Sequence, residues 1–271
     1  MISQYIIISL SISIAICFLV PIGSFIYFTI KDKKVPKSFI VGSLVFFISQ
    51  ILIRIPILTY ILPNMIWFIK LSNNPYLYGI FLGLTSGIFE EVGRFIAFKY
   101  ILKKNNQWID GISYGFGHGG IEALLITGIS CLNLLVACIM INNGSFDPLI
   151  SSSSTVTGQT LYNQCINLTS TAALLGGIER IFAMIIHIGL SLIVLYGVRN
   201  RKIIYLFVAI LIHTLVNAPI VILPQLFNVG TIGLEIYIFI CALVLGVFTL
   251  YSKKLYKKQT NFYLTIKKGD K

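Results

Sequence analysis

Long apolar runs constrain this chain more than any other feature of its sequence. A helix that crosses the hydrocarbon core of a membrane needs about 20 consecutive apolar residues. Such runs predict seven spans, at residues 5–30, 38–62, 75–102, 110–141, 172–198, 203–226 and 231–251. Hydrophobic residues make up 56% of the chain and charged residues 11%, and a soluble domain cannot bury that much apolar surface. We therefore expect an all-α, polytopic membrane helix bundle.

Basic residues are concentrated in alternate loops. Of the 21 Lys and Arg residues, 17 fall into four clusters, at residues 31–37, 99–104, 199–202 and 253–271. Because basic loops stay in the cytoplasm, the pattern predicts an N-out, C-in topology, with an integral membrane domain at 1–252 and a basic cytoplasmic tail at 253–271. The net charge of +12 then reports orientation and attraction to anionic membrane lipid, not nucleic-acid binding. The predicted location is the plasma membrane.

Two further features complete this outline. The connection 142–171 is rich in Ser, Asn and Thr, which is typical of a flexible external loop. Four of the five cysteines lie in predicted spans, and neither a disulfide framework nor a CxxC metal motif is visible.

Ionisable residues occur inside the predicted spans. A charged side chain at the bilayer centre costs about 2.5–3.5 kcal/mol on insertion scales, so such residues usually face the bundle interior and mark a site or an ion path. The set comprises Glu90, Glu91, Glu122, Glu179, His118, His187, His213, Arg54, Arg94 and Arg180.

Four of these residues share one predicted depth. Counted from the nearest basic cluster, Glu91 and His187 each lie 12 residues away, His213 lies 11 away and His118 lies 14 away. At 1.5 Å per residue, each is roughly 16–21 Å from the cytoplasmic edge. Four helices are therefore predicted to bring ionisable groups to one layer near the membrane midplane.

The spacing of the acidic pair predicts an internal partner for it. Arg94 follows Glu90 by four residues and Glu91 by three, so we expect one guanidinium to reach both carboxylates. With that partner, one carboxylate can stay ionised and act as a base.

The other polar residues also recur at helical spacing. Tyr114, His118 and Glu122 lie at i, i+4 and i+8, and the glycines between them would let a neighbouring helix or an extended substrate approach closely. His213 and Asn217 share a face one turn apart. On another span, Arg180 and His187 lie seven residues apart and therefore on the same side of the helix, and Glu179 precedes Arg180.

A structural interpretation exists for each residue taken alone. Glu90, Glu91 and Arg94 would then form a buried ion pair, and a single histidine would bond a neighbouring helix. Glu122, Glu179 and Arg180 are interpreted as supporting or structural groups. Arg54 either extends toward the outer surface or makes a structural contact. The combination of three histidines, a glutamate pair and Asn217 at one depth is what favours a functional site.

In this order, an EE…R motif, an aromatic-xxx-His motif and a His-xxx-Asn motif on successive membrane helices resemble a known family. It is the CAAX-protease and bacteriocin-processing superfamily of intramembrane endopeptidases, and more closely its YhfC-like branch of membrane peptidases. The strings EEVGRF and YGFGHGGIEA resemble signatures of that branch, and the seven-span length fits along nearly the whole chain.

The resemblance implies roles for individual residues. Glu90 would be the base that polarises a water together with His118, and His213 and Asn217 would stabilise the tetrahedral oxyanion. Glu91 and Arg94 would be supporting groups. In the superfamily motif the arginine follows the first glutamate by five residues, whereas here it follows by four, a rotation of about 100° around the helix. His187 lies outside the three motifs, and its contribution is inferred from its depth.

The sequence leaves the catalytic chemistry open between two mechanisms. We expect a metal-independent glutamate mechanism without a cofactor, because the HExxH signature is absent and Asn217 suits oxyanion donation. The alternative is zinc bound by Glu90, His118, His187 and His213, with an open position for water.

Two other classes of protein use buried Glu and His. A proton-coupled transporter would distribute such groups across the membrane instead of in one layer. A catalytically inactive scaffold or immunity protein would keep the fold without the activity. For the peptidase, the expected partners are membrane lipid and a membrane-associated peptide or protein substrate.

Overall fold

A computed structural model of the chain describes residues 1–146 and 155–269. The regular structure of these residues is helical, and no strand occurs among them. Within the described part, six helices are long and apolar enough to cross a membrane: Gln4–Lys31, Pro36–Asn64, Trp108–Asn142, Ser170–Arg199, Ile204–Phe227 and Thr231–Lys257. The predicted all-α, polytopic membrane fold is confirmed.

The remaining predicted span, 75–102, is also helical but differs from these six in composition. It forms the helix Pro75–Ile96, which a wider turn continues over Ala97–Ile101. Glu90, Glu91 and Arg94 lower its apolar character. The most polar of the predicted spans is therefore the one that carries the acidic pair.

Ten α-helices are numbered in chain order over the described residues. They are α1 Gln4–Lys31, α2 Pro36–Phe46, α3 Ile66–Ser72, α4 Pro75–Ile96, α5 Trp108–Glu122, α6 Ile129–Asn142, α7 Thr155–Asn167, α8 Ser170–Arg199, α9 Ile204–Phe227 and α10 Thr231–Gly269. Wider π-helical turns follow α2 at Phe47–Arg54, α4 at Ala97–Ile101 and α5 at Ala123–Gly128. Such turns often occur at functional sites, because they change the direction in which side chains point.

The connection 142–171 differs from the prediction of a flexible loop. Within it, α7 occupies Thr155–Asn167, while residues 147–154 lie outside the described residues. The reason is packing: Cys165 is buried, and Leu161 and Tyr162 pack against a small apolar core. At the C-terminal end, α10 continues without interruption past Ser252, so the predicted boundary of the basic tail falls inside a helix.

The chain divides into two compact units. The first comprises Met1–Gly23 and Gly120–Ile181, and the second comprises Ser24–Gly119 and Phe182–Lys271. The first unit has its own core, which includes Leu10, Cys138 and Cys165. All five cysteines of the chain are free thiols.

The second unit contains the larger core and the candidate site. Its core includes Phe98, Tyr114 and the buried face of α8 from Ile186 to Leu195. Large apolar side chains such as Leu211 and Leu215 on α9 are more than half exposed, as expected for residues that contact lipid tails.

Candidate functional site

Small residues on α4 bring this helix into close contact with α9. Asn74 caps the N-terminus of α4 by accepting hydrogen bonds from two backbone amides, and Pro75 begins the helix. One stripe of α4 carries Gly83 and Gly87. A Cβ on Gly83 would lie 2.9 Å from the Thr214 carbonyl oxygen, and one on Gly87 would lie 2.9 Å from that of Ile210. Only glycine therefore permits this approach, which places the acidic part of α4 beside the histidine of α9.

A second glycine stripe joins α5 to α8. Gly111, Gly115 and Gly119 recur every four residues, and a Cβ on Gly115 would overlap the backbone of Ile188. A Cβ on Gly119 would lie 3.0 Å from the Met184 Cα. The glycines thus admit a neighbouring helix, which is one of the two roles that the sequence predicts for them. This contact brings the histidines of α5 and α8 together.

Glu90 is buried and uses its two oxygens differently. Its Oε1 accepts hydrogen bonds from Gln50 Nε2 at 2.6 Å and from Ser86 Oγ at 3.0 Å. Its Oε2 lies 2.8 Å from His118 Nε2, 3.7 Å from His213 Nε2 and 4.0 Å from His187 Nδ1. The carboxylate is therefore held on one side and faces three imidazoles on the other.

Arg94 pairs with Glu91 alone, so the prediction that it bridges both carboxylates is wrong. Its Nη1 lies 2.5 Å from both oxygens of Glu91, and its Nη2 contacts His187 Nδ1 at 3.2 Å. Both residues of the ion pair are 0% exposed. The hydrogen bonds that Glu90 needs come instead from a different helix and from Ser86.

The partners of two histidines fix the roles of their ring nitrogens. A carboxylate paired with Arg94 only accepts hydrogen bonds, so His213 donates from Nδ1 to Glu91 Oε1 over 2.8 Å. In the neutral ring, the Nε2 of His213 then carries the lone pair, and it lies 3.7 Å from Glu90 Oε2. Because a guanidinium only donates, His187 accepts at Nδ1.

The three imidazoles are buried and pack against one another. The ring centroids of His118 and His187 are 4.7 Å apart, and those of His187 and His213 are 5.6 Å apart. All three rings are buried, and Phe46 packs edge-on against His118. His118 Nδ1 has no hydrogen-bond partner among the described residues. We call Glu90, Glu91, Arg94, His118, His187 and His213 the histidine cluster.

Asn217 lies next to the histidine cluster and contacts it through Ser86. Its Nδ2 donates to Ser86 Oγ over 3.2 Å, and Ser86 in turn donates to Glu90. Asn217 is partly exposed, whereas all six members of the cluster are buried. The four residues predicted at one depth on four helices are thus brought together with Glu90 and Asn217.

Gln50 and Arg54, which also contribute to the site, lie on the π-helical turn Phe47–Arg54. Sequence reasoning missed Gln50. Gln50 is buried and donates to Glu90, and its own Oε1 accepts from Arg54 Nη1 over 3.0 Å. Arg54 also donates to the Leu82 carbonyl oxygen, so it makes the structural contact that the sequence left open. The available signal was the i, i+4 spacing of a Gln and an Arg within an apolar run.

Glu122, Glu179 and Arg180 form a separate group in the first unit, which we call the Arg180 cluster. Arg180 Nη1 contacts Glu122 Oε1 at 3.0 Å, and its Nη2 contacts Glu179 Oε1. The two glutamate side chains are 21% and 24% exposed. This geometry is that of one arginine shared between two carboxylates.

The histidine cluster has the chemistry and spacing of a metal site. Glu90, His118 and His187 each present a donor atom, and the three atoms lie within 4.8 Å of one another. Two imidazoles and one carboxylate form a ligand set of catalytic zinc, and donor atoms around a tetrahedral zinc are about 3.4 Å apart. The separations of 2.8 and 4.0 Å from Glu90 Oε2 fall on either side of that value. The expectation of a site without a cofactor is therefore not supported, and zinc is compatible with the residues.

Comparison with known proteins gives two matches. A family described as YhfC intramembrane metalloprotease matches residues 16–245. The uncharacterized membrane protein YhfC of Bacillus subtilis (strain 168) is 35% identical over 258 residues, which cover 95% of this chain and 100% of that protein. No solved structure matches the chain.

Proposed function

The chain belongs to the YhfC family of intramembrane metalloproteases, and on that premise we propose that it is a metal-dependent endopeptidase acting on membrane-associated peptides or proteins. The observation that carries the proposal is the convergence of the Glu90, His118 and His187 donor atoms within 4.8 Å in a buried site. Metal-independent catalysis by Glu90 is the mechanism that this proposal replaces.

In the proposed site, Glu90, His118 and His187 would hold a divalent ion. The ion would supply Lewis acidity to a water and to the scissile carbonyl. Arg94 donates to His187 Nδ1, so that nitrogen would be free to hold the ion only if the guanidinium turned wholly to Glu91. Because Nη1 already bonds both Glu91 oxygens, the turn keeps the ion pair intact.

Gln50 and Ser86 act as positioning residues for Glu90. Both donate to Oε1, which leaves Oε2 directed at the imidazoles. Hydrogen bonds of this kind orient a metal ligand and typically change metal affinity by 10- to 100-fold.

His213 is the residue proposed to move the proton. Glu91 holds its Nδ1–H, so the Nε2 lone pair faces the site and accepts a proton from the attacking water. As the water oxygen bonds to the peptide carbon, Nε2–H forms. When the C–N bond breaks, the same proton passes to the leaving nitrogen, and His213 returns to its neutral form.

Asn217 is proposed to stabilise the oxyanion with the Nδ2–H that Ser86 does not use. This role agrees with the one that the family resemblance implies. Since Asn217 is the partly exposed member of the constellation, the substrate is proposed to approach from its side.

The test combines metal content with cleavage. Purified protein is expected to contain about one zinc per chain, and membranes that express it should show peptide products absent from Glu90→Gln and His118→Ala membranes. Both variants should lose zinc, whereas His213→Ala should keep zinc and lose the products. Asp32→Asn, at an exposed position, is the matched control for removal of a carboxylate.

Two outcomes would contradict the proposal. A wild-type protein that cleaves without bound metal and after chelation would favour the glutamate mechanism. Identical peptide profiles for folded wild type and both ligand variants would exclude a peptidase.

A further inference from the structure

A basic pocket lies in the second unit, and its lining includes Phe95, the residue that follows Arg94 of the histidine cluster. It has a volume of about 440 Å³ and is formed by the last turns of the α4 span and by the connection between α8 and α9. Its polar lining comes from Lys99, Arg201 and Lys202, and its apolar lining includes Phe95, Val198 and Ile203.

The charges of this pocket are unbalanced. Three of its lining residues are cations, and no carboxylate lines it. Lys99 lies over the rings of Phe95 and Tyr100, at 5.2 Å from each centroid. Within the described part of the chain, Lys99, Arg201 and Lys202 form no salt bridge with an acidic side chain. Three cations that share a cavity without a protein counter-ion attract an anion.

The backbone of the connection adds to this preference. Arg201 adopts a left-handed conformation with φ 56°, and the Lys202 amide donates to the Gly197 carbonyl oxygen over 2.9 Å. This tight turn places both cationic residues at the start of α9, whose N-terminus has no side-chain cap. The N-terminus of a helix carries a partial positive charge, which favours an anion there.

The position of the pocket indicates which kind of molecule carries the anionic group. It lies where two membrane-spanning helices end and begin, at Arg199 and Ile204. Its lining includes the apolar side chain of Ile203, and Ile203 and the adjoining Ile204 are 51% and 57% exposed. A ligand that matches both parts has a phosphate for the cations and an acyl chain for the isoleucines.

We propose that this pocket binds the phosphate of an anionic phospholipid headgroup. Basic pockets between membrane helices are suited to such headgroups because charge and apolar surface meet at the depth of the interface. The adjacent Arg199 does not line the pocket, since its guanidinium packs over the Tyr256 ring at 4.8 Å. The proposal does not depend on peptidase activity.

Native mass spectrometry of the full-length protein tests the proposal. The protein is released from nanodiscs of phosphatidylcholine that contain phosphatidylglycerol, and the retained lipid is counted. Wild type should retain one phosphatidylglycerol. The variant Lys99→Gln/Arg201→Gln/Lys202→Gln should bind it on the order of 100-fold more weakly, since each interfacial cation contributes roughly a factor of five.

A charge-matched control separates the pocket from general surface attraction. The variant Lys33→Gln/Lys254→Gln/Lys257→Gln removes three exposed cations elsewhere and should retain the lipid as wild type does. Equal loss in both triple variants would overturn the proposal. So would displacement of phosphatidylglycerol by equimolar inorganic phosphate, because the site would then serve a free anion.

Discussion

Two groups of charged residues in this chain contain the same numbers of glutamate and arginine but have different surroundings. The histidine cluster and the Arg180 cluster each contain two glutamates and one arginine. In the Arg180 cluster the arginine contacts both carboxylates, whose side chains are 21% and 24% exposed. In the histidine cluster the arginine contacts one carboxylate, and the other faces imidazoles.

The difference shows what separates a structural ion pair from a candidate site. In the Arg180 cluster one arginine neutralises both carboxylates, one through each of its terminal nitrogens. In the histidine cluster, Arg94 neutralises Glu91, so Glu90 keeps an oxygen that faces three ring nitrogens. Buried charge inside a membrane is therefore a weak indicator by itself, and the convergence of donor atoms is the stronger one.

The largest expected effect is on stability, when each cluster loses its arginine. Arg94→Ala leaves Glu91 fully buried without its cation and should lower the free energy of unfolding by about 3–5 kcal/mol. Arg180→Ala should cost about 1–2 kcal/mol, because its glutamates are only partly buried. Denaturant titration of purified protein in detergent micelles, with a chelator present, measures both without a contribution from metal.

Arg94→Lys provides the control for charge. It restores a cation but not the two-oxygen contact, so its stability should fall between those of wild type and Arg94→Ala. If Arg94→Ala were no more destabilising than Arg180→Ala, the proposed difference between the clusters would be wrong.

The next effect concerns glycines from the two compact units. Gly115→Ala places a methyl group on the backbone of Ile188, next to His187, and should cost about 1–3 kcal/mol of stability. It should also weaken zinc binding, because the two helices that carry His118 and His187 must separate. Gly176→Ala meets nothing within 4 Å and should be neutral or slightly stabilising. Thermal unfolding and zinc titration compare the two variants. Equal stability and equal zinc affinity would show that the site does not depend on the close contact of α5 with α8.

Sequence alone predicts the spans of this fold well, because every backbone group in lipid must be bonded within its own helix. The predicted spans 172–198 and 203–226 correspond to the helices Ser170–Arg199 and Ile204–Phe227. The sequence does not predict α7 because its composition is polar, whereas in the structure Leu161, Tyr162 and Cys165 pack into an apolar core. Length and hydropathy carry no information about such a helix.

The site is predicted in part, for a similar reason. Counting residues from the basic clusters correctly places Glu91, His187 and His213 near one another, because rise along a helix is constant. The direction in which a side chain points around the helix axis cannot be counted from the sequence in the same way. The π-helical turn Phe47–Arg54 brings Gln50 to Glu90, so a glutamine takes the position that the spacing of α4 assigned to Arg94.

The smallest of these effects is expected at Gln50, the residue that sequence reasoning missed. Gln50→Ala removes one of two hydrogen bonds to Glu90 Oε1, and Ser86 still donates to this oxygen. Zinc affinity should therefore fall by about tenfold, the lower end of the range for a group that orients a metal ligand. Gln159→Ala, on the exposed side of α7 in the first unit, should leave the affinity unchanged. If Gln50→Ala bound zinc as tightly as wild type does, the hydrogen bond from Gln50 to Glu90 Oε1 would not be needed to orient the carboxylate.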